Sequence, residues 1–395
     1  MKRKIAALLL AWMIVVSPAI AYVLNYTIAD STDPRNAGVS GCPQPDHMDT
    51  ITPGKLINRR WSTSVSSAII TSTGSWTSGN SAQITEITQV INESFAVWTG
   101  VSGTTLTPAK LAALQSTSTQ SACNQNDGLN TICFNQSASF STGVLAFTLT
   151  VTSDILGEKP FPNSGPSAAI GEILDADILF NPSGYTFATP GALAANQSAY
   201  DLESVLTHEL GHVFGLSHSS VWRAMLWPYA SPRGTFTGLR PTAQAPDAPL
   251  ADDDRVGVRV LYPSAADTTD VGIISGRVLP ANPISLATLP APSPGRSVTG
   301  IFGAHVVAVD TATGAVVAGV LAGWSCDSSN LPTLFDGSYK FEKLPVGRSY
   351  LLFAEPLDGP SDSTNLSLSD LCRAGTNNAC TVPSVNINFS TRIKP

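Results

Sequence analysis

The sequence predicts an α+β domain over residues 61–263 followed by an all-β sandwich over residues 272–395. Three observations carry that expectation. The 395 residues are too many for one ordinary domain. Helical and strand periodicities mix before Pro263, whereas only strand-like runs follow Gly272. Hydrophobic residues make up 43%, enough to fill a core in each part.

The elements of the first part follow in order. Ser66–Thr71 reads as a strand. Ser81–Gly100 reads as a helix, because Ile84, Ile87, Val90, Ile91, Phe95 and Trp98 recur at three- and four-residue spacing. Gly143–Thr152 and Ile173–Phe180 read as strands, the second closed by Asn181-Pro182. Asp201–Phe214 is helical and stops at Gly215. Asp253–Leu261 is a last helix whose acidic start suits a helix N-terminus. In the second part the expected strands are Ile273–Leu279, Ala304–Asp310, Val316–Leu321, Ser338–Leu344 and Tyr350–Glu355. Turn dipeptides such as Thr313-Gly314 and Asp336-Gly337 separate them. Pro280–Gly300 is a proline-rich loop. Residues 264–271 are small, polar and acidic, and read as a linker that makes the tail separable.

Lys2, Arg3 and Lys4, the twelve apolar residues Ile5–Val16 and Ala19-Ile20-Ala21 together read as a signal peptide over residues 1–21. The apolar run is short for a membrane span; an uncleaved anchor is the alternative reading. The expected location is therefore secreted, extracellular or periplasmic, with no span left after leader removal. Residues 22–60 form a polar N-terminal segment and a candidate short prosegment. Net charge is −7, and loss of the three basic leader residues leaves 19 basic against 29 acidic, or −10. Charged residues are only 13% and no basic block exists, which argues against nucleic acid as a partner. Six cysteines (42, 123, 133, 326, 372 and 380) can oxidise in an exported chain. Their connectivity stays open, with Cys123–Cys133 closing a short loop as the preferred single pair.

The chemistry is concentrated in Thr207-His208-Glu209-Leu210-Gly211-His212-Val213-Phe214-Gly215-Leu216-Ser217-His218-Ser219. Three of the five histidines in the chain fall within these residues. His208 and His212, four apart on a helix, project from one face and can share one Zn²⁺. Glu209 stands beside a ligand and can serve as general base. A glycine at 215 can end the helix and reverse the chain, returning His218 as third ligand. Three protein ligands leave a fourth position open, the pattern of a catalytic zinc.

His208-Glu209-x-x-His212-x-x-Gly215-x-x-His218-Ser219 resembles the metzincin signature in its matrixin form. Leu174–Asn181 resembles the strand before the matrixin active-site helix, and Asp253-Asp254-x-x-Gly257-Val258-x-x-Leu261-Tyr262 the final matrixin helix. The resemblance implies a metzincin-type catalytic domain, a twisted, mostly parallel sheet with three helices. It implies zinc-dependent endopeptidase activity on protein or peptide substrates, with Glu209 as general base. It also implies substrate binding along the strand Val144, Leu145, Ala146, with Pro228 and Tyr229 as the opposite wall and Ser204 setting pocket depth. The family's Met-turn falls on Ala224-Met225-Leu226-Trp227-Pro228, where Leu226 occupies the usual methionine place and Met225 sits one earlier. Cys42-Pro43-Gln44-Pro45-Asp46 resembles the family's cysteine switch, a disulfide-bonded or exposed Cys42 being the alternative. A second zinc, which many matrixins carry, would need a histidine where Phe147 stands, so one zinc is expected. Asp175 and Asp177 are the only residues that suggest calcium, and no ordered acidic loop supports them.

The tail resembles carboxypeptidase regulatory-like domains at Gly276-Arg277-Val278, Gly303–Ala308, Asp336–Tyr339 and Leu344–Gly347. Such domains are usually non-catalytic, and His305 reads as a strand residue. Two rivals to an endopeptidase remain: a non-catalytic adhesion or binding protein built on a protease fold, and a zinc hydrolase acting on another bond.

Overall fold

A computed structural model of the chain describes residues 26–28, 34, 56–58, 60–61, 68–72, 81–106, 110–111, 130–133, 140–153, 157, 169–181, 184–193, 197–219, 221, 224–240, 242–243, 247–280, 300–301, 304–326, 332–356 and 392–394. The leader, Cys42 and most of the proline-rich loop lie outside them.

A short antiparallel pair, β1 (Tyr26–Ile28) and β2 (Leu56–Asn58), precedes the main sheet. That sheet contains β3 (Ala68–Ser72), β4 (Lys110–Leu111), β5 (Asn130–Cys133), β6 (Ala146–Thr152) and β7 (Ile173–Phe180) in the order β4-β3-β5-β7-β6. All neighbours are parallel except β6, which runs antiparallel to β7 and forms one edge. The mostly parallel sheet implied by the resemblance is therefore present. β7 is buried at seven of its eight positions, while β6 is half-buried throughout. A central strand covered on both faces reads as a near-continuous apolar run; an edge strand does not. Strand β5 was missed in the sequence because it is four residues long and begins with Asn130. That asparagine belongs there: its Oδ1 accepts from the backbone of Ala176 on β7 at 2.8 Å.

Helix α1 (Ser81–Thr99) forms where the periodicity predicts it and buries Ile87, Val90, Ile91, Phe95 and Trp98. Its last turn is locked to the site helix by Trp98, whose Nε1 donates to the Thr207 carbonyl at 2.8 Å. A single turn, α2 (Pro190–Leu193), lies between the short parallel partners β8 (Phe187–Ala188) and β9 (Tyr200–Asp201). The site helix α3 (Leu202–Val213) begins at Asp201, whose carboxylate accepts from Ser204 N at 2.8 Å. That satisfies one of the donors a helix N-terminus leaves open. The domain ends with α4 (Asp252–Leu261). Three of the four helices are those expected, and α2 is too short to show a period.

The tail contains two antiparallel sheets. One orders β10 (Val271–Arg277), β14 (Pro332–Pro345) and β13 (Gly323–Cys326). The other orders β12 (Val316–Leu321), β11 (Ala304–Asp310), β15 (Tyr350–Pro356) and β16 (Arg392–Lys394). Ala304, Val306, Ala308, Val317, Val320, Phe341 and Leu344 are buried in one continuous apolar cluster with residues of α4.

The segment 264–271 is mostly exposed but carries fixed contacts. Ser264 N donates to Gly103 O at 2.8 Å, and Asp267 is buried against Arg259 and Lys343. Polar composition is ambiguous here: the same acidic residues suit solvent or a buried cationic partner, and only the three-dimensional contacts decide. Cys133 is disulfide-bonded; Cys123, the partner the sequence suggests, lies outside the described residues.

Candidate metal centre and active site

His208 and His212 sit one turn apart on α3, with ring centroids 4.9 Å apart. The helix stops by a hydrogen-bond pattern that glycine makes possible. Gly215 adopts φ +93°, Gly215 N donates to His212 O, and Leu216 N donates to Gly211 O, both at 3.0 Å. This left-handed stop satisfies the last carbonyls and turns the chain back. His218 then arrives 5.2 Å from His208 and 4.8 Å from His212, measured between ring centroids. One ligand nitrogen from each of the three rings lies within 4.8 Å of the others.

Two ring orientations are set from behind. The His208 Nδ1 faces Met225 O and the His212 Nδ1 faces Leu216 O, each at 2.8 Å. A carbonyl accepts only from an N–H, so both imidazoles carry their proton on Nδ1 and present a lone pair at Nε2. Burial holds all three in the neutral form. It lowers His208 to about 3, helped by His212, and pushes His212 and His218 down as well. Three converging, neutral imidazoles fit a tetrahedral zinc with one open position.

Glu209 is buried beside them, and burial raises its carboxyl to about 7. Its Oε2 accepts from Thr148 Oγ1 at 2.7 Å. Thr148 comes from the edge strand β6, and nothing in the sequence separated it from an ordinary strand residue.

Two aspartates at the start of α4 support the loop under the histidines. Asp254 Oδ2 accepts from Met225 N at 2.7 Å and from Ala251 N at 2.8 Å, and its Oδ1 accepts from Leu226 N at 3.2 Å. Asp253 Oδ2 accepts from Ser219 Oγ at 2.7 Å. The acidic start of α4 therefore does more than suit the helix end. The Met-turn alternatives also separate. A Cβ added at Gly211 would lie 2.5 Å from Leu226 Cδ2 and 2.8 Å from Trp98 Cζ2. Leu226 is thus the side chain pressed against the ligand helix, while Met225 supplies the carbonyl that orients His208.

The candidate substrate residues are placed as follows. Val144 and Leu145 precede β6, and their carbonyls are taken by Asn181, from Nδ2 and from N respectively, each at 2.8 Å. Alternation in the antiparallel ladder turns the backbone groups of Ala146 and Thr148 to the open edge. Ser204 Oγ accepts from Thr237 N at 2.8 Å. The loop after the turn is further tied by Arg240 to Asp201 and Glu203. Pro228 is half-buried, and Tyr229 is exposed beside Trp227. Asp177 is buried and accepts from Thr131, so its carboxylate joins β7 to β5. Phe147 packs on Phe140 with ring centroids 5.0 Å apart. Among the described residues no second cluster of histidine, cysteine and carboxylate has metal-holding geometry. Cys42 lies outside the described residues.

The mostly parallel sheet, its antiparallel edge strand and the three histidines at the end of a helix are the arrangement that the resemblance to metzincins implies. Residues 71–263 match the family model for matrixins. The chain is similar to Metalloendoproteinase 1 of Glycine max, 36% identical over 112 residues that make up 26% of this chain and 32% of that protein. It is also similar to Metalloendoproteinase 4-MMP of Arabidopsis thaliana, 45% identical over 64 residues, 16% of each chain. Metalloendoproteinase 1-MMP of the same plant is 35% identical over 106 residues, 24% of this chain and 26% of that protein. The chain thus spans a third or less of the length of these relatives. No described helix is long and apolar enough to cross a membrane.

Proposed function

We propose that this chain is an exported zinc-dependent endopeptidase in which His208, His212 and His218 hold the metal and Glu209 is the general base. The observation that carries this reading is the convergence of three half-buried, neutral imidazoles within 4.8 Å beside a buried carboxylate. The endoproteinase names of the similar plant proteins point the same way. Zinc, when bound, supplies Lewis acidity that acidifies a water and polarises the scissile carbonyl. The rest is done by the chain. The carbonyls of Met225 and Leu216 fix the His208 and His212 rings, so little reorganisation is needed on metal entry. Glu209 takes the proton from the attacking water and passes it to the departing amine. The open edge of β6 at Ala146 and Thr148 pairs with an extended peptide by strand addition. Pro228 and Tyr229 face it from the other side, and the Ser204–Thr237 bond fixes the loop that bounds the side-chain pocket. The tail is a carboxypeptidase regulatory-like sandwich without chemistry of its own, and residues 1–21 direct export.

The test is a peptide library incubated with full-length, zinc-loaded protein, with products identified by mass. Cleavage at peptide bonds is expected, abolished in Glu209→Ala with zinc still bound. His212→Ala should lose zinc and activity together. A Glu209→Ala protein that keeps most of its activity overturns the assignment, and a library left intact returns the adhesion reading. Cys42→Ser in freshly purified full-length protein tests latency: higher activity supports a cysteine switch, and equal activity removes it.

A further inference from the structure

Glu209 does not stand alone in its pocket. Thr148, on the edge strand β6, points its hydroxyl across to α3 and reaches two oxygens of that residue, Oε2 at 2.7 Å and the backbone carbonyl at 3.1 Å. The contact spans 61 positions of sequence and joins the sheet edge directly to the base. A hydroxyl has one proton to give. Both acceptors lie within its reach, and the shorter bond goes to the carboxylate. We infer that Thr148 is a positioning residue for Glu209: its hydroxyl holds Oε2, leaves Oε1 as the oxygen that takes and returns the proton, and keeps the carboxylate in one rotamer. This rests on Glu209 being the general base.

The geometry supports a role in catalysis rather than in packing. A glutamate side chain has three rotatable bonds, and a buried carboxylate that must meet a water and then an amine is efficient only when held at hydrogen-bond reach of both. The neighbouring groups on α3 cannot hold it. The His208 and His212 Nδ1 positions are occupied by Met225 O and Leu216 O. Thr148 also has a second place for its proton. That second acceptor is the Glu209 carbonyl, 3.1 Å away. Valine at this position would keep the β-branched shape that suits a strand but could donate to neither oxygen.

The test compares Thr148→Val, Thr148→Ser and wild type as full-length, zinc-loaded proteins. Thr148→Ala serves as a second hydroxyl-free variant should valine disturb β6. Loss of the hydroxyl should lower kcat on a cleaved peptide roughly ten- to hundred-fold, the scale of a hydrogen bond to a charged group. KM, zinc content and thermal midpoint should stay at wild-type values, and serine should restore most of kcat. A metal-free crystal structure of the valine variant should show the Glu209 carboxylate turned away from its wild-type rotamer. Wild-type kcat in both hydroxyl-free variants overturns the inference, as does a serine variant as slow as valine. Failure of the underlying reading looks different: no zinc-dependent cleavage by wild type, or full activity in Glu209→Ala. The crystallographic comparison still judges Thr148 in that case.

Discussion

Gly211 stands between His208 and His212 on α3, and its lack of a side chain matters more than its flexibility. The space a Cβ would need is filled by Leu226 Cδ2 at 2.5 Å and Trp98 Cζ2 at 2.8 Å. Trp98 cannot yield easily, because its Nε1 is bonded to Thr207 O. Leu226 is the softer neighbour. Gly211→Ala should therefore destabilise the protein by about 1–3 kcal/mol, the usual cost of overpacking, despite alanine's better helix propensity. It should also weaken zinc binding by tilting His212. The double variant Gly211→Ala/Leu226→Ala should recover part of the loss, read by urea melts and by competition with a chelator. An alanine variant as stable as wild type would mean that the helix and loop separate without cost. At this scale the sequence was informative where partners are close along the chain. The His208, Glu209, His212 and Gly215 pattern is local, and its geometry follows from helical spacing. The partners of Glu209 and Gly211 were illegible because they come from distant segments and carry no signature. Thr148 is an ordinary strand residue until its hydroxyl is seen to meet a carboxylate.

The elements repeat the lesson. α1 is legible because its apolar residues repeat with the helical period, α3 because it stops at Gly215, α4 because of its acidic start, and β7 because it is a long run ending at Asn181-Pro182. β5, β8 and β9 are two to four residues long and offer no period to read. What α4 does was hidden even though its start was recognised. Its third residue, Asp254, collects three backbone N–H groups, two of them from the loop under the histidines. Asp254→Ala should cost about 2–4 kcal/mol, since it leaves buried donors without partners. It should also lower zinc retention, because the Met225 carbonyl that orients His208 would lose its anchor. Acidity offers a finer check. Burial pushes the Asp254 carboxyl up to about 6, against the pull of its three N–H donors and Arg255. An unfolded aspartate ionises near 4. Between about pH 4 and 6 the unfolded chain releases its proton first and gains, so this residue's contribution to stability falls as pH rises through that window and is level above it. Asp254→Asn should remove that decline. Denaturant midpoints at pH 4, 5, 6 and 7 would show it, and an unchanged difference from wild type across the series would refute the assignment.

For the molecule as a whole, the junction between the two parts is pinned at one buried residue, Asp267. Arg259 on α4 is paired with Asp267 and Asp270, and Lys343 on β14 reaches Asp267 Oδ2 at 3.2 Å. Arg259 and Asp267 side chains are 9% and 0% exposed, which places this ion pair among those whose disruption costs about 3–5 kcal/mol. Asp267→Ala should lower stability by that amount in urea melts of the full chain, whereas loss of a linker residue would change it by less than about 0.5 kcal/mol. Arg348 adds a bond from the tail to Asp252, the first residue of α4, at 2.7 Å. Truncation after Pro263 should accordingly yield a protein that aggregates or loses zinc readily, measured by light scattering and chelator competition; a monomeric, fully active fragment would restore the linker reading.

Helix α4 thus has two owners. Its first turn holds the loop beneath the histidines, and its body lies against β12 and β14 of the tail. Consider what this means for exchange of parts between genes. A crossover after Pro263 bares the face of α4 that meets β12 and β14 to whatever tail arrives, and a crossover before Ala251 imports a foreign carboxylate to stand under Met225. Neither joint leaves both halves whole. The two parts should be inherited as a pair, and a new tail should be accepted only together with matching changes along one helix.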